Sequence, residues 1–210
     1  MKNYYKKSAF TLIELLTVIA IIGILAAIII PTVGSVKVAA NKAKTKSQFG
    51  QWSVAMGLFK SEYGYYPAVA ASDASSGLVD TTAFLANLTA RNHLGALQTG
   101  ASLKGNKKAL SFYSVADSEL LKSGEPPIVQ NVLIDAFSNA DIAVMVDANG
   151  DGVITDAEII TDRLEGGNDV DGTSAALTSG AVDASNIRAG VAFYSAGRNS
   201  SINDYVYSWK

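Results

Sequence analysis

The sequence predicts an α+β chain in which a long N-terminal helix, able to span a membrane in its first half, packs its second half on a small antiparallel β-sheet head. Three observations carry this. The 21 residues from Phe10 to Ile30 are apolar with Glu14 as their only charge. Phe49, Trp52, Met56, Phe59 and Tyr63 then recur at helical spacing along one stripe. Runs rich in β-branched and aromatic residues follow in the second half of the chain.

Composition narrows the functions this chain can have. It has 210 residues, 49% hydrophobic and 17% charged, enough for one globular domain beside the apolar run. Seventeen Lys and Arg against nineteen Asp and Glu give net charge −2, which supplies no global field for a phosphate backbone, so nucleic acid is not expected as the main partner. There is no cysteine and one histidine, His93. Disulfide scaffolds, thiolate zinc sites, cysteine nucleophiles and two-histidine metal sites are excluded, and a lone His93 reads as structural or surface rather than catalytic. Carboxylate chemistry, calcium and assembly remain.

At 1.5 Å per residue the apolar run makes a helix of roughly 30 Å, the thickness of a bilayer core. Lys2, Lys6 and Lys7 flank its N-terminal side, which predicts a single-pass helix with its N-terminus in the cytoplasm and everything after Pro31 outside. Ile28, Ile29, Ile30 and Pro31 offer no small-residue cleavage site, so the helix is expected to be retained. Glu14 would cost on the order of 2 to 3 kcal/mol near the centre of a span unless partnered. No basic residue lies within a turn or two of it. Either it snorkels to the interface or a positive partner comes from elsewhere. Pro31 predicts a kink rather than a stop in a helix packed among others, and Gly23 permits close approach of a neighbour.

Residues 10–31 form the spanning half of the helix and residues 32–63 its amphipathic half. Lys37, Lys42, Lys44 and Lys46 precede the aromatic stripe and form a solvated face with anionic headgroups within reach. Gly64 is the predicted helix stop, and Tyr65-Tyr66-Pro67 leaves in extended form. Residues 64–210 form the head. It is expected to hold a loop over 68–77, a helix over 82–90 capped by Asp80 or Thr81, and strands over 128–134, 142–146, 187–194 and 205–209. The last two strands are expected to pair across a loop over 195–203.

One further string carries chemistry. Asp147-Ala148-Asn149-Gly150-Asp151-Gly152-Val153-Ile154-Thr155-Asp156-Ala157-Glu158 matches the twelve-residue calcium loop at positions 1, 3, 5, 6, 8 and 12. Its ligands would be Asp147, Asn149, Asp151, the Val153 carbonyl and Glu158. From Asp135 to Asp171 there are ten acidic residues and one base, Arg163, a repulsion that a cation would relieve. A strand rather than a helix enters the loop, so a strand-turn device is expected instead of a helix-loop-helix pair.

Lys6-Lys7-Ser8-Ala9-Phe10-Thr11-Leu12-Ile13-Glu14-Leu15-Leu16, with the apolar run broken at Pro31, resembles the N-terminal signature of type IV pilins and type II secretion pseudopilins. The resemblance implies that a prepilin peptidase cuts between Ala9 and Phe10, removes a leader of residues 1–9 and methylates the new N-terminus. This chain has Ala9 where the family usually has Gly. Glu14 would then be fifth in the mature chain, and the α-amine of a neighbour's Phe10 could supply its missing partner. Asp135-Ala136-Phe137-Ser138-Asn139, Tyr194-Ser195-Ala196-Gly197 and Asp204-Tyr205-Val206-Tyr207-Ser208-Trp209 are similar to the major secretion pseudopilins. That likeness implies a second, weaker calcium position in the loop from Ser195 to Asp204, where Asp204 is the only acid. It further implies a non-enzymatic filament subunit of the inner membrane. Its partners would be its own copies, other pilin-like subunits, the prepilin peptidase, the assembly platform and membrane lipid. The alternative is a membrane-anchored calcium-dependent binding protein or hydrolase using acids such as Asp156 and Glu158.

Overall fold

A computed structural model describes residues 10–69, 78–92, 94–98, 105–123, 130–147, 149–154, 187–197 and 205–209. The chain falls into two units, Met1–Ala40 and Asn41–Lys210. Helix α1 (Leu12–Tyr63) continues through Pro31 and ends where Gly64 turns to φ 82°. Gly64 closes the last turn by donating its N–H to the Lys60 carbonyl at 2.8 Å. A side chain at that φ would be strained, which is why glycine stops the helix there.

In the second unit α2 (Thr81–Thr89) starts at Asp80, whose carboxylate accepts the N–H of Thr82 at 2.7 Å and of Ala83 at 3.1 Å. The cap is therefore Asp80, and Thr81 is free to accept the Leu133 N–H through its hydroxyl at 3.0 Å. β1 (Leu120–Ser123) and β2 (Gln130–Leu133) form an antiparallel pair. β3 (Ile142–Val146), β4 (Val191–Ser195) and β5 (Val206–Tyr207) form an antiparallel sheet in that order.

The expected 205–209 strand shortens to β5; of the expected 128–134 strand, β2 covers 130–133 and Ile134 falls outside it, while 128 and 129 lie outside the described residues. The expected 187–194 strand is corrected: the ladder begins at Val191, while Ile187 makes a separate antiparallel bridge to Ile154. β1 has no counterpart in the sequence reading, because Leu120-Leu121-Lys122-Ser123 is too short for a period to show. Its strand state comes from pairing with β2. The predicted pairing of the last two strands is present, with Tyr194 opposite Tyr207 and Ser195 opposite Val206.

Alternation along β3 and β4 divides the sheet's two faces. Ile142, Val144, Val191 and Phe193 join a core with Phe49, Trp52, Met56 and Phe59 of α1 and Phe84, Leu85 and Leu88 of α2. The rings of Trp52 and Phe193 meet edge to face at 5.4 Å, and Trp52 and Phe84 lie 4.8 Å apart. Ala143, Met145, Ala192 and Tyr194 face a second cluster with Ile154, Ile187 and Tyr205. The predicted aromatic stripe is thus the core face of α1, with Tyr63 partly buried at its end.

Two buried asparagines join the segments that regular structure leaves apart. Asn106, fully buried, donates to the carbonyls of Asn87 at 2.9 Å and Leu110 at 2.6 Å. Its Oδ1 accepts the Tyr63 hydroxyl at 2.8 Å and the Leu110 N–H at 3.0 Å. Asn87 donates to the Ala68 carbonyl and accepts the Gly105 N–H, both at 2.9 Å. Asn106→Ala is expected to destabilise the chain by about 3 kcal/mol, because its partners stay buried without a mate. Urea denaturation of the full chain in detergent checks this.

Candidate functional site

Thr11 and Glu14 form a reciprocal cap at the start of α1. The Thr11 N–H and hydroxyl both donate to Glu14 Oε2, at 2.8 and 2.6 Å, and the Glu14 N–H donates back to Thr11 Oγ1 at 3.3 Å. The sequence carried this signal as Thr-x-x-Glu ahead of an apolar run, and the sequence reading, which sought a partner for Glu14 only at a distance, missed it. All these atoms lie C-terminal to the Ala9–Phe10 bond, so the cap survives loss of residues 1–9. Both bonds from Thr11 fall on Oε2, so a further donor would be met by Oε1. Phe10 is described and is 79% exposed; Ala9 lies outside the described residues.

Behind this cap every large apolar side chain from Leu12 to Val36 is between 47% and 81% exposed. The helix is long and apolar enough to cross a membrane. Its few hydroxyls turn inward: Thr17 donates to the Glu14 carbonyl at 3.0 Å and Thr32 to the Ile29 carbonyl at 2.8 Å. Bonding them to the helix backbone removes the cost of taking them into hydrocarbon. Pro31 has no N–H to offer the carbonyl one turn before it, and the helix carries on regardless.

The calcium-loop string is described from Asp147 to Ile154 except for Ala148. β3 enters it, as expected for a strand-turn device, and delivers Asp147 at 3% exposure. Asp147 Oδ1 accepts the Gly150 N–H at 2.7 Å and Oδ2 the Gly152 N–H at 2.9 Å. Asn149 Oδ1 accepts the Asp151 N–H, and Asp151 Oδ1 the Val153 N–H, each at 2.8 Å. Gly150 and Gly152 take φ of 79° and 85°, which only glycine adopts without strain. The donor set of carboxylates, one amide oxygen and a carbonyl is chemically right for a hard cation, since each oxygen keeps a second lone pair beside its N–H bond. Among the described residues no group of three His, Cys, Asp or Glu side chains gathers. Glu158, Asp204, Asp156 and His93 lie outside the described residues.

The Asp135–Asn139 and Tyr194–Gly197 strings meet in space. Asp135, 2% exposed, accepts the N–H groups of Phe137 at 2.8 Å and Asn139 at 2.9 Å on Oδ1, and the Ser195 hydroxyl at 2.7 Å on Oδ2. Ala136 donates its N–H to Thr45 Oγ1 of α1 at 3.1 Å, and Gln48 donates to the Ile134 carbonyl at 2.9 Å. The turn is thereby fixed to both α1 and β4. Burial pushes the Asp135 carboxyl above its ordinary value of 3.8, partly offset by its three hydrogen bonds. Burial likewise raises Glu119, whose carboxylate accepts the Tyr113 hydroxyl at 2.7 Å.

Two predictions follow from these contacts. Thr11→Ala is expected to remove about 1 kcal/mol of first-turn helix stability, read as faster amide exchange at residues 12–15. Because the folded chain holds the Asp135 proton to higher pH than the unfolded chain, stability should fall as pH rises from 3.8 through the folded value. Asp135→Asn keeps acceptors for both N–H groups and can donate to Ser195. It is expected to flatten that decline in urea midpoints measured across the acid range.

No curated protein and no solved structure matches the chain. Residues 5–30 match the family model described as the prokaryotic N-terminal methylation motif. That stretch contains Phe10, the Thr11–Glu14 cap and the apolar helix up to Ile30, and the motif implies processing by prepilin peptidase and assembly with other pilin subunits. The chain carries the N-terminal signature of type IV pilins and pseudopilins, ahead of a long helix and small antiparallel sheets in a pilin-like α+β arrangement.

Proposed function

We propose that the chain is a structural subunit of a type II secretion pseudopilus or a closely similar filament, held in the inner membrane by residues 10–31 until it is added to the fibre. The observation that carries this reading is the exposed apolar helix from Leu12 to Val36, with an acid held in a cap at its first turn and the methylation motif matching it up to residue 30. Outside a bilayer, such a surface is kept from water only by packing against its like. A freed, methylated amine at Phe10 of one subunit would meet Glu14 of the next and set the register between neighbours. Its charge would be compensated where water is scarce. The likeness of the Asp135–Asn139 and C-terminal strings to major secretion pseudopilins supports the secretion role over an adhesive pilus, and no catalytic step is required of the head.

Calcium belongs to the same proposal. Asp147, Asn149, Asp151 and the Val153 carbonyl would hold the ion, completed by Glu158, with Asp204 a weaker second position. The ion would neutralise the acidic stretch from Asp135 to Asp171 and stiffen the exit from β3.

Mass spectrometry of the native chain is expected to find Phe10, methylated, at the N-terminus; an intact Met1 would overturn the filament reading. Glu14→Gln is expected to accumulate as cleaved subunit and to form no filaments in a secretion-competent host. Calcium should raise the melting temperature of the full chain in detergent, and Asp147→Ala with Asp151→Ala should abolish that rise.

A further inference from the structure

We infer that the exit from β3 is a site of spontaneous covalent modification, at which the Gly150 backbone nitrogen closes on the Asn149 side-chain amide and expels ammonia. This modification is independent of the filament reading. Asn149 is the only asparagine in the sequence followed by glycine. Both residues are exposed. Glycine leaves the nitrogen of its own peptide unshielded, because no Cβ stands beside it. A backbone nitrogen is nonetheless a poor nucleophile, since its lone pair is shared with the preceding carbonyl and its proton must be taken away.

The turn supplies what that attack lacks. Asp147 Oδ1 accepts the Gly150 N–H at 2.7 Å, so a carboxylate sits on the proton that has to leave. Asn149 Oδ1 accepts the Asp151 N–H at 2.8 Å, a donor placed on the oxygen where negative charge gathers as the amide carbon is attacked. This bond also folds the Asn149 side chain back over the peptide that contains the Gly150 nitrogen. Asn149 Nδ2 donates to Asp151 Oδ2 at 3.1 Å, so residue 151 holds the amide at both ends. Gly150 keeps φ at 79°, which a side chain would strain, so the pair that reacts is the pair that the turn requires.

The bond from the Gly150 nitrogen to Asn149 Cγ forms and the Cγ–Nδ2 bond breaks. The proton lost from the Gly150 nitrogen to Asp147 balances the one that Nδ2 gains as it departs as ammonia. The cyclic imide then takes up water and opens at either of its carbonyls. One product has an ordinary aspartyl residue at position 149; in the other the chain runs through the side-chain carboxyl. Either product adds a negative charge to the acidic stretch from Asp135 to Asp171. The second also lengthens the backbone and breaks the spacing that lets Asp147 reach the Gly150 and Gly152 N–H groups.

The full chain is aged in detergent with a chelator present, so that the calcium reading stands or falls separately. Position 149 is followed by peptide mass spectrometry and by hydroxylamine, which cuts the chain at the imide. Amide loss there is expected to be about tenfold faster in the folded chain than in urea, where the Asp147 and Asp151 contacts are gone. Asp147→Asn keeps an oxygen for the Gly150 N–H but no base, and is expected to slow the folded chain by about tenfold with its melting temperature little changed. An Asn149 that stays intact overturns the inference, as does loss that is as fast in urea as in the fold or an undiminished rate in Asp147→Asn. Should that variant fail to fold, the comparison of the folded and urea-unfolded parent chain decides alone. The Phe10 terminus and filament formation are read separately and are untouched by these outcomes.

Discussion

The constraint on which everything else depends is an apolar surface that the chain cannot cover by itself. From Leu12 to Val36 every large apolar side chain of α1 is at least 47% exposed. Leaving such a surface in water is costly, a demand that a bilayer or packing against helices like its own would meet. The details nearby are consistent with this demand. The hydroxyls of Thr17 and Thr32 are bonded back to the helix, and the one acid is placed at the very end, where Thr11 answers it.

The head solves the opposite problem. Its sheet is small and its strands are short, so α1 supplies much of the core through Phe49, Trp52, Met56 and Phe59. Polar connections then do what longer strands do in larger sheets. Asn87 and Asn106 join α2, the end of α1 and the segment around Gly105, and Asp135 joins the turn before β3 to Ser195. These side chains are buried and satisfied, so they specify one arrangement of loops at the cost of pH sensitivity in the carboxylates.

The helix, its stop at Gly64, the core stripe, the Asp80 cap and most of the three-stranded sheet were legible in the sequence, because each rests on local periodicity or turn chemistry. The Asn87–Asn106 pair, Thr45 and Gln48 were not. They are polar residues made internal by partners about twenty to ninety positions away, and nothing nearby in the chain announces them. β1 escaped for the same reason, since its identity belongs to its pairing with β2. Glu14 was noticed for its charge. Its local partner Thr11 stands three residues away and satisfies the carboxylate by hydrogen bonds without supplying the opposite charge.

The bridge between Ile154 and Ile187 has a consequence for the second core cluster. Ile154 donates to the Ile187 carbonyl at 2.8 Å and Ile187 returns the bond at 3.1 Å, with both side chains buried. The two ends of the intervening stretch are therefore clasped together, independently of what lies between them. The pair thereby fixes where the chain leaves and rejoins the second core cluster, a boundary set by two backbone bonds and two buried side chains.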